Sequence, residues 1–335
     1  MQEIGSRPRK QRKFKSARLA GPYEKPCLEK REPRKIWDKI IFFTLSLVGW
    51  GSQHTSSILD GLQLAVLVPT ESFDWITTDS KNVYTDASGL HIVPTLTTDV
   101  TDITEAQLQN GYTLNLTALG TCTSTSQDAC VIMSNSTKGI IINPVRSARV
   151  NTKGRHSIGY GKVEVVAKLP KGDWIWPAIY DAYWRTSSSR QMKHGDYSDG
   201  FHTYGLEWSE NYLYTYVNNR LVQSLYVPFG SSYGSMYERG GYTTQNPWVE
   251  STSTTKNAPF DQSFYLILNV AVGSTSSYFP DGIGSKPWSD TNSTIAMQQF
   301  WAAKNDWLPT WGDGDARGMA VSSVEMWSRG ACGSS

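Results

Sequence analysis

Between Gly161 and Lys168, Val163, Val165 and Ala167 alternate with Glu164, Val166 and Lys168, so one set of side chains is apolar throughout. Val163, Val165 and Ala167 therefore share one face of an extended chain, as a half-buried β-strand requires. Turn-forming residues follow at 170–173 and end the strand. This stretch is the clearest strand signal in the chain, and it predicts a sheet with one buried and one more accessible face.

Composition supports an all-β fold for most of the chain. Aromatic residues make up 12% of the 335 residues, with 13 Trp and 17 Tyr, and long runs of helix formers are absent. A β-sandwich commonly reaches this size as one domain, so we expect one large domain and a tail. Short strands are predicted over Phe73–Thr77, Leu90–Thr97, Tyr112–Leu119, Gly159–Leu169, Phe201–Trp208, Tyr212–Tyr226, Phe264–Val272 and Met319–Trp327.

Three connecting segments have their own signals. Val217–Arg220 is predicted to be a hairpin turn because Asn tolerates positive φ. Thr98–Gly111 is rich in turn formers. Thr291–Trp307 is predicted to form one helix with an N-cap at Thr291 or Ser293.

The N-terminal 39 residues carry 13 Lys and Arg against 5 Asp and Glu and have little apolar content, so we expect a disordered basic tail. Nucleic-acid binding is not expected, because it would need the basic residues on the folded domain. Ile40–Trp50 is strongly apolar, but as a helix it would span roughly 16 Å against a hydrocarbon core of roughly 30 Å. The tail favours an uncleaved signal-anchor with the C-terminal part in the secretory lumen or outside the cell. A buried strand or helix is the alternative.

Three N-glycosylation sequons, at Asn115, Asn135 and Asn292, all follow the apolar run and agree with that orientation. The predicted organisation is a tail at 1–39, an anchor and junction at 40–60, and a β-sandwich at 70–330. The membrane is thus one expected partner, through a single type II anchor, and the sequence leaves the oligomeric state open.

Two of the four cysteines lie close together in the sequence. Cys122 and Cys130 close a Ser/Thr-rich loop and could form a disulfide in an oxidising compartment. Cys27 would be cytosolic and reduced, and Cys332 has no obvious partner. No Cys/His spacing resembles a zinc site, so we expect neither metal nor cofactor.

Candidate ligand contacts follow the central strand. Trp174 and Trp176 lie two residues apart, so in an extended chain both indoles would point the same way and offer a flat surface for sugar rings. Burial of both rings in the core is the alternative. Asn269 is the strongly polar residue of an otherwise apolar strand, where it could satisfy backbone groups or face a ligand.

Six blocks of sequence occur in collinear order at Ser147–Gly154, Tyr160–Ile179, Gly200–Trp208, Ala258–Gly273, Phe279–Gly282 and Lys286–Trp288. Together they resemble glycoside hydrolase family 16, and within it fungal laminarinase-like members. The resemblance implies a concanavalin-like β-jelly-roll whose concave sheet binds β-1,3-linked or mixed-linkage glucan. It places Trp176, Asn269 and Arg149 on the cleft side, with Trp174 and Trp288 as weaker candidates. An ordinary salt bridge is the alternative for Arg149.

The chain differs from that family in the residues that would carry out catalysis. Members carry Glu-x-Asp-x-x-Glu on a strand soon after the block that contains Trp176, and no Glu of this chain begins such a motif. Ile179 instead runs directly into Tyr180, as if a long block were removed. Glu207 is the best remaining carboxylate of a matched block, and we expect it to serve structure. No catalytic residue is therefore assigned, and enzyme activity stays open.

Two explanations fit the missing block, namely a skipped exon or faulty gene model, and a true non-catalytic protein. The sandwich would be incomplete in either case, with exposed strand edges and reduced stability. Three functions compete: a β-glucan hydrolase or transglycosylase of the fungal wall that is inactive as written, a membrane-anchored glucan-binding protein, and a structural scaffold.

Overall fold

A computed structural model of the chain describes residues 28–29, 72–122, 130–177, 195–220, 223–229, 235, 238, 257–258, 260–275 and 278–329. The basic tail apart from residues 28–29, the apolar run, Cys27, Cys332 and most of the 230–259 loop lie outside these residues. Within the described ranges, no helix is long and apolar enough to cross a bilayer. The predicted anchor, and the predicted tail apart from Leu28–Glu29, thus lie outside the described residues.

The described chain is built mainly of short strands. They are β1 (Leu28–Glu29), β2 (Asp74–Ile76), β3 (Val83–Asp86), β4 (Gly89–Ile92), β5 (Thr95–Leu96), β6 (Thr113–Asn115), β7 (Val131–Met133), β8 (Val145–Ser147), β9 (Arg149–Asn151), β10 (Ser157–Ile158), β11 (Gly161–Lys168), β12 (Ile175–Pro177), β13 (His202–Trp208), β14 (Tyr212–Val217), β15 (Gln223–Pro228), β16 (Phe264–Tyr265), β17 (Ile267–Val272) and β18 (Met319–Arg329). The α-helices are α1 (Thr97–Val100), α2 (Glu105–Gln109), α3 (Ser293–Ala302) and α4 (Lys304–Trp307).

Two layers of sheet account for most of these strands. The larger sheet has the order β15-β14-β13-β11-β18-β4-β3, and β1 pairs with β18 beside it. The other layer contains the ribbons β12-β17-β9 and β2-β8-β5. Pairing is antiparallel except between β2 and β8. Two further pairs, β10 with β16 and β6 with β7, lie outside these ribbons.

The main core lies between the two layers. On the larger sheet Val163 and Val165 of β11 point inward, and the alternation of buried and half-buried residues along β11 is complete. Leu268 and Val270 of β17 belong to the same cluster. Burial of both inner faces stabilises the sandwich, at about 25 cal/mol for each Å² of apolar surface removed from water. The predicted all-β jelly-roll sandwich is confirmed.

A second apolar cluster contains a group of aromatic side chains packed with the C-terminal helices. Phe300 stacks on Trp307 with ring centroids 4.4 Å apart, and Trp307 meets Trp311 at 4.8 Å. Phe73, at the start of β2, packs against Phe300 and Trp288. The helices therefore close one end of the sandwich.

Several predicted elements are shorter or divided. The predicted strand over Leu90–Thr97 is split between β4 and β5 at Val93-Pro94, since proline cannot donate to a strand ladder. The predicted strand from Tyr112 ends at Asn115, whose Oδ1 accepts from the Ala118 N–H and turns the chain.

The predicted Thr98–Gly111 turn region instead contains a helix with a capping box. Thr104 Oγ1 accepts from the Gln107 N–H, and the Gln107 side chain accepts in return from the Thr104 N–H. The spacing of these two residues was a sequence signal for α2.

The predicted single helix at Thr291–Trp307 is wrong in its continuity. It is divided at Ala303, and its N-cap is Asn292, without a side-chain capping bond, rather than Thr291 or Ser293. The Trp307 indole N–H donates to the Phe300 carbonyl at 2.8 Å. In a continuous helix that carbonyl would accept from the Lys304 N–H, so a buried tryptophan takes over one main-chain bond at the break.

Two local predictions are confirmed. Asn218 has φ of +63° in the turn between β14 and β15, as the hairpin interpretation requires. Cys122 and Cys130 form a disulfide across a separation of 8 residues.

Gly205 of β13 offers a test of packing on the outer face of the larger sheet. A Cβ atom built on Gly205 would lie 2.0 Å from the buried Tyr216 ring, so Gly205→Ala must displace that ring. We expect the free energy of unfolding to fall by about 1 to 3 kcal/mol in urea titrations. Gly200→Ala is the matched control, because no atom lies within 4 Å of its added Cβ. Equal stability of the two variants would contradict this packing account.

Candidate functional site

The outward face of the β12-β17-β9 ribbon brings the predicted contact residues together. Cross-strand partners share a face, and the register pairs Trp176 with Ala271 and Asn269 with Arg149. Residues two apart along β17 also share a face, so these four residues lie on the side opposite the core. Of the five predicted contacts, three thus lie on one surface, which we call the ribbon face.

Trp176 is fixed at one end of the ribbon face. Its Nε1–H donates to the Gly273 carbonyl at 3.0 Å, and its side chain is 9% exposed. Tyr278 stacks on the indole with ring centroids 4.3 Å apart and an interplanar angle of 26°. Tyr278 is itself 38% exposed. The accessible aromatic surface at this place therefore belongs largely to Tyr278.

Trp174 does not share the extended segment of Trp176, so the expectation that both indoles point the same way is wrong. β12 begins at Ile175, and Trp174 has φ of +64°, a conformation that a bulky residue keeps only where its surroundings hold it. Its carbonyl accepts from the Gly273 N–H at 2.8 Å. Its ring meets Phe279 and Trp288 edge to face.

Trp288 lies in the aromatic core. It is 3% exposed, its Nε1–H donates to the Ser274 carbonyl, and its ring contacts Phe73 and Phe300. Its contacts are thus those of a buried support beneath the loop that carries Tyr278. The predicted sugar contact by Trp288 stays a prediction.

Asn269 and Arg149 supply polar groups in the middle of the ribbon face. Both are half-buried. Asn269 can donate and accept hydrogen bonds at once, whereas the Arg149 guanidinium only donates. A polyol such as a sugar presents both kinds of partner, so this pair suits hydroxyl groups better than an apolar ligand.

Asp74 lies under the edge of this face and carries an unusual carboxyl group. Burial raises its pKa to about 6, although the Val272 N–H, the Ser72 side chain and the charge of Arg149 all act to lower it. Its Oδ1 accepts from the Val272 N–H at 2.8 Å and so attaches β2 to the end of β17. The ionised carboxyl group of Asp74 therefore offsets part of the positive charge of Arg149.

A loop at 278–290 carries Tyr278 and is held by one buried cation. Lys286 has a fully buried side chain, and its Nζ lies 2.6 Å from Asp281 Oδ1 and 2.5 Å from Asp290 Oδ1. It also donates to the Phe279 carbonyl at 2.9 Å. The bond from Lys286, with others from Ser289 and Asp290, lowers the pKa of Asp281 to about 2.

Sequence reasoning placed Phe279 and Lys286 in matched blocks but missed Tyr278 and the ion cluster.

Glu207 lies on the other sheet, away from the ribbon face. It is buried and accepts from the hydroxyls of Tyr212 and Tyr214, and it pairs with Arg220. These partners agree with the expected structural role. Among the described residues, no group of His, Cys, Asp or Glu is arranged to hold a metal ion.

The raised pKa of Asp74 makes a prediction about stability. The folded state binds this proton more tightly than the unfolded chain, whose ordinary value is 3.8. The contribution of Asp74 to the free energy of unfolding therefore falls as pH rises from about 4 to about 6, by roughly 3 kcal/mol. Asp74→Asn removes this titration, so urea titrations across pH 4 to 7 should give a flatter profile.

The lowered pKa values of Asp86 and Asp281 act below this window, since their contributions are lost as pH falls from about 4 towards about 2. A parent protein and an Asp74→Asn variant with the same pH slope would contradict the assignment.

Comparison with curated proteins gives relatives that are named β-1,3-glucan-binding proteins or Gram-negative bacteria-binding proteins. The chain is 34% identical to a β-1,3-glucan-binding protein of Penaeus monodon over 301 residues, covering 73% of this chain and 79% of the relative. It is 28% identical over 214 residues to β-1,3-glucan-binding protein 1 of Manduca sexta, covering 51% of this chain and 43% of the relative. The chain thus spans less than half of that insect protein.

Solved structures that match the chain include a laminarinase from Rhodothermus marinus, at 16% identity and a TM-score of 0.41, covering 90% of this chain and 98% of that one. The family 16 endo-β-1,3(4)-glucanase SCLam matches at 16% identity and a TM-score of 0.38, covering 91% of this chain and 96% of that one.

No protein-family model matches the chain. The similarity to the Penaeus monodon protein extends over most of both chains. The chain belongs to the family of β-1,3-glucan-binding proteins.

Proposed function

We propose that this protein binds β-1,3-glucan on the ribbon face without cutting it. The observation that carries the proposal is the placement of Trp176, Asn269 and Arg149 on one face beside the accessible ring of Tyr278. The name of the Penaeus monodon relative supports the choice of ligand. The resemblance of the sequence blocks to fungal laminarinase-like proteins suggests a fungal wall glucan.

The chemistry of a glucan chain matches this surface. Each glucose ring has an apolar face of C–H groups and a rim of hydroxyls. Tyr278, backed by Trp176, offers a ring face for the first. Asn269 and Arg149 offer donors and an acceptor for the second. A few oriented polar groups beside an aromatic surface are typical of ligand sites in proteins.

The absence of cleavage is inferred from the missing acids. Retaining glycoside hydrolysis needs two carboxyl groups about 5 to 5.5 Å apart. The ribbon-face positions named above are Trp176, Ala271, Asn269 and Arg149, and none of them is an acid. The chain also contains no Glu-x-Asp-x-x-Glu sequence.

A second candidate function is hydrolysis or transglycosylation by a longer form of the protein. The direct junction of Ile179 and Tyr180 in a region of matched blocks favours it. Sequencing the transcript across these two codons is the test. Recovered codons for the Glu-x-Asp-x-x-Glu block would establish this function, and a clean junction would remove it.

We also propose that Ile40–Trp50 anchors the protein as a single type II span, with the glucan-binding part in the lumen or outside the cell. The basic tail before the run and the sequons after it support this orientation. Release of the full-length protein from membranes by alkaline carbonate would contradict the anchor. Endoglycosidase treatment that leaves its gel mobility unchanged would count against luminal exposure.

The binding proposal predicts that Tyr278→Ala weakens retention of the protein on insoluble β-1,3-glucan by about tenfold, equivalent to about 1.4 kcal/mol. Trp176→Ala should weaken it at least as much, because the backing of Tyr278 is lost. A pull-down titration measures retention, and assay of new reducing ends in the same tubes should give none.

The matched control is Tyr226→Ala, since Tyr226 is 53% exposed but lies on β15 of the other sheet. A parent protein that the glucan does not retain would sink the proposal. The same holds if Tyr278→Ala and Tyr226→Ala behave alike.

A further inference from the structure

A groove of about 420 Å³ lies between α2 and the C-terminal helices. It shares no lining residue with the ribbon face. Its wall includes Trp301, and its polar lining consists of side chains that hydrogen-bond readily, namely Glu105, Gln109, Gln298, Gln299, Lys304 and Asn305.

The charged groups of the groove neutralise each other. Glu105 Oε2 pairs with Lys304 Nζ at 3.1 Å, and Glu105 Oε1 accepts from the Trp301 indole N–H at 2.7 Å. The Gln109 amide donates to the same Oε1 at 3.2 Å. With its cation already paired, the groove is poorly suited to a phosphate or carboxylate. One carboxylate with these partners is also poorly suited to a metal ion.

The remaining polar side chains of the lining are primary amides. Each amide offers two donors and one acceptor, which is the complement of a hydroxyl group that both donates and accepts. Gln299 Oε1 is buried and has no hydrogen-bond partner among the described residues. Buried polar atoms are nearly always bonded, so the donor to this oxygen is a ligand, a water molecule or a residue outside the described ranges. A ligand hydroxyl in the groove would satisfy it.

Trp301 acts as a wall of the groove rather than as a stacking platform. It is almost fully buried, and the Lys304 ammonium lies 4.1 Å from the centre of its ring. Recognition here would therefore come from hydrogen bonds along a neutral ligand, with little stacking.

We propose that this groove is a second contact site for a neutral saccharide, occupied by a distant part of the same glucan chain that the ribbon face holds. The inference rests on the proposed glucan binding. A polymer held at one site reaches a second site at high effective concentration, so a weak groove can strengthen retention of long chains. A short oligosaccharide cannot engage both sites and gains nothing from the groove.

The test uses the full chain carrying Gln298→Leu together with Asn305→Leu. Leucine has a higher helix propensity than asparagine and one close to that of glutamine, so α3 and α4 should fold as before. Gln262→Leu is the control, because Gln262 is an exposed glutamine outside the groove. Thermal unfolding of all variants checks the fold. The probes are insoluble β-1,3-glucan and a β-1,3-linked glucose trisaccharide.

We expect the double variant to lose at least fivefold in retention on the polymer while its affinity for the trisaccharide and the behaviour of the control stay unchanged. Unchanged polymer retention, in a protein whose Tyr278→Ala variant does lose retention, overturns the groove and leaves the proposed function intact. Equal losses for polymer and trisaccharide overturn the groove as a separate site. No retention of the parent protein overturns both proposals.

Discussion

The two opposite faces of β17 are the constraint on which the rest of the structure depends. Along Ile267–Val272 the side chains alternate, so Leu268 and Val270 enter the core while Asn269 and Ala271 look outward. A shift of register by one residue would exchange the two sets. Burial of Leu268 and Val270 in the core therefore fixes the outward position of Asn269, and the candidate site needs no separate device to orient it.

Two buried ionisable groups near this ribbon are stabilised in different ways. Lys286 has two carboxylates and a carbonyl within bonding distance, so its desolvation is largely offset and the loop that carries Tyr278 is held in place. Asp74 has one main-chain donor at Oδ1, while its Oδ2 has no partner among the described residues. Burial raises the pKa of Asp74 in spite of the bonds from Val272 and Ser72, because protonation is the less costly state for a carboxyl group removed from water.

Local chemistry explains which parts of the structure the sequence predicts. The strand around Val163 and Val165 and the turn at Asn218 follow from nearest neighbours alone, and both are found. The predicted direction of the Trp174 indole is wrong because its positive φ depends on contacts with Phe279 and Trp288, which lie more than a hundred residues away in the chain. The break of the C-terminal helix has a similar tertiary origin in the Trp307 indole. The sequence predicted the strand residues of the candidate site, Trp176, Asn269 and Arg149. It did not predict Tyr278, which lies on a loop.

Binding and cutting make different demands on this architecture. The ribbon face is carried by β12, β17 and β9, which the sandwich core supports directly, so Trp176 and Asn269 keep their places wherever that core forms. Cutting needs two carboxyl groups at a fixed short distance, and these would have to come from a further strand beside the ribbon. A chain that keeps the ribbon without that strand can still hold a polysaccharide. Such a chain lacks the pair of acids, but the core that positions Trp176 and Asn269 is preserved.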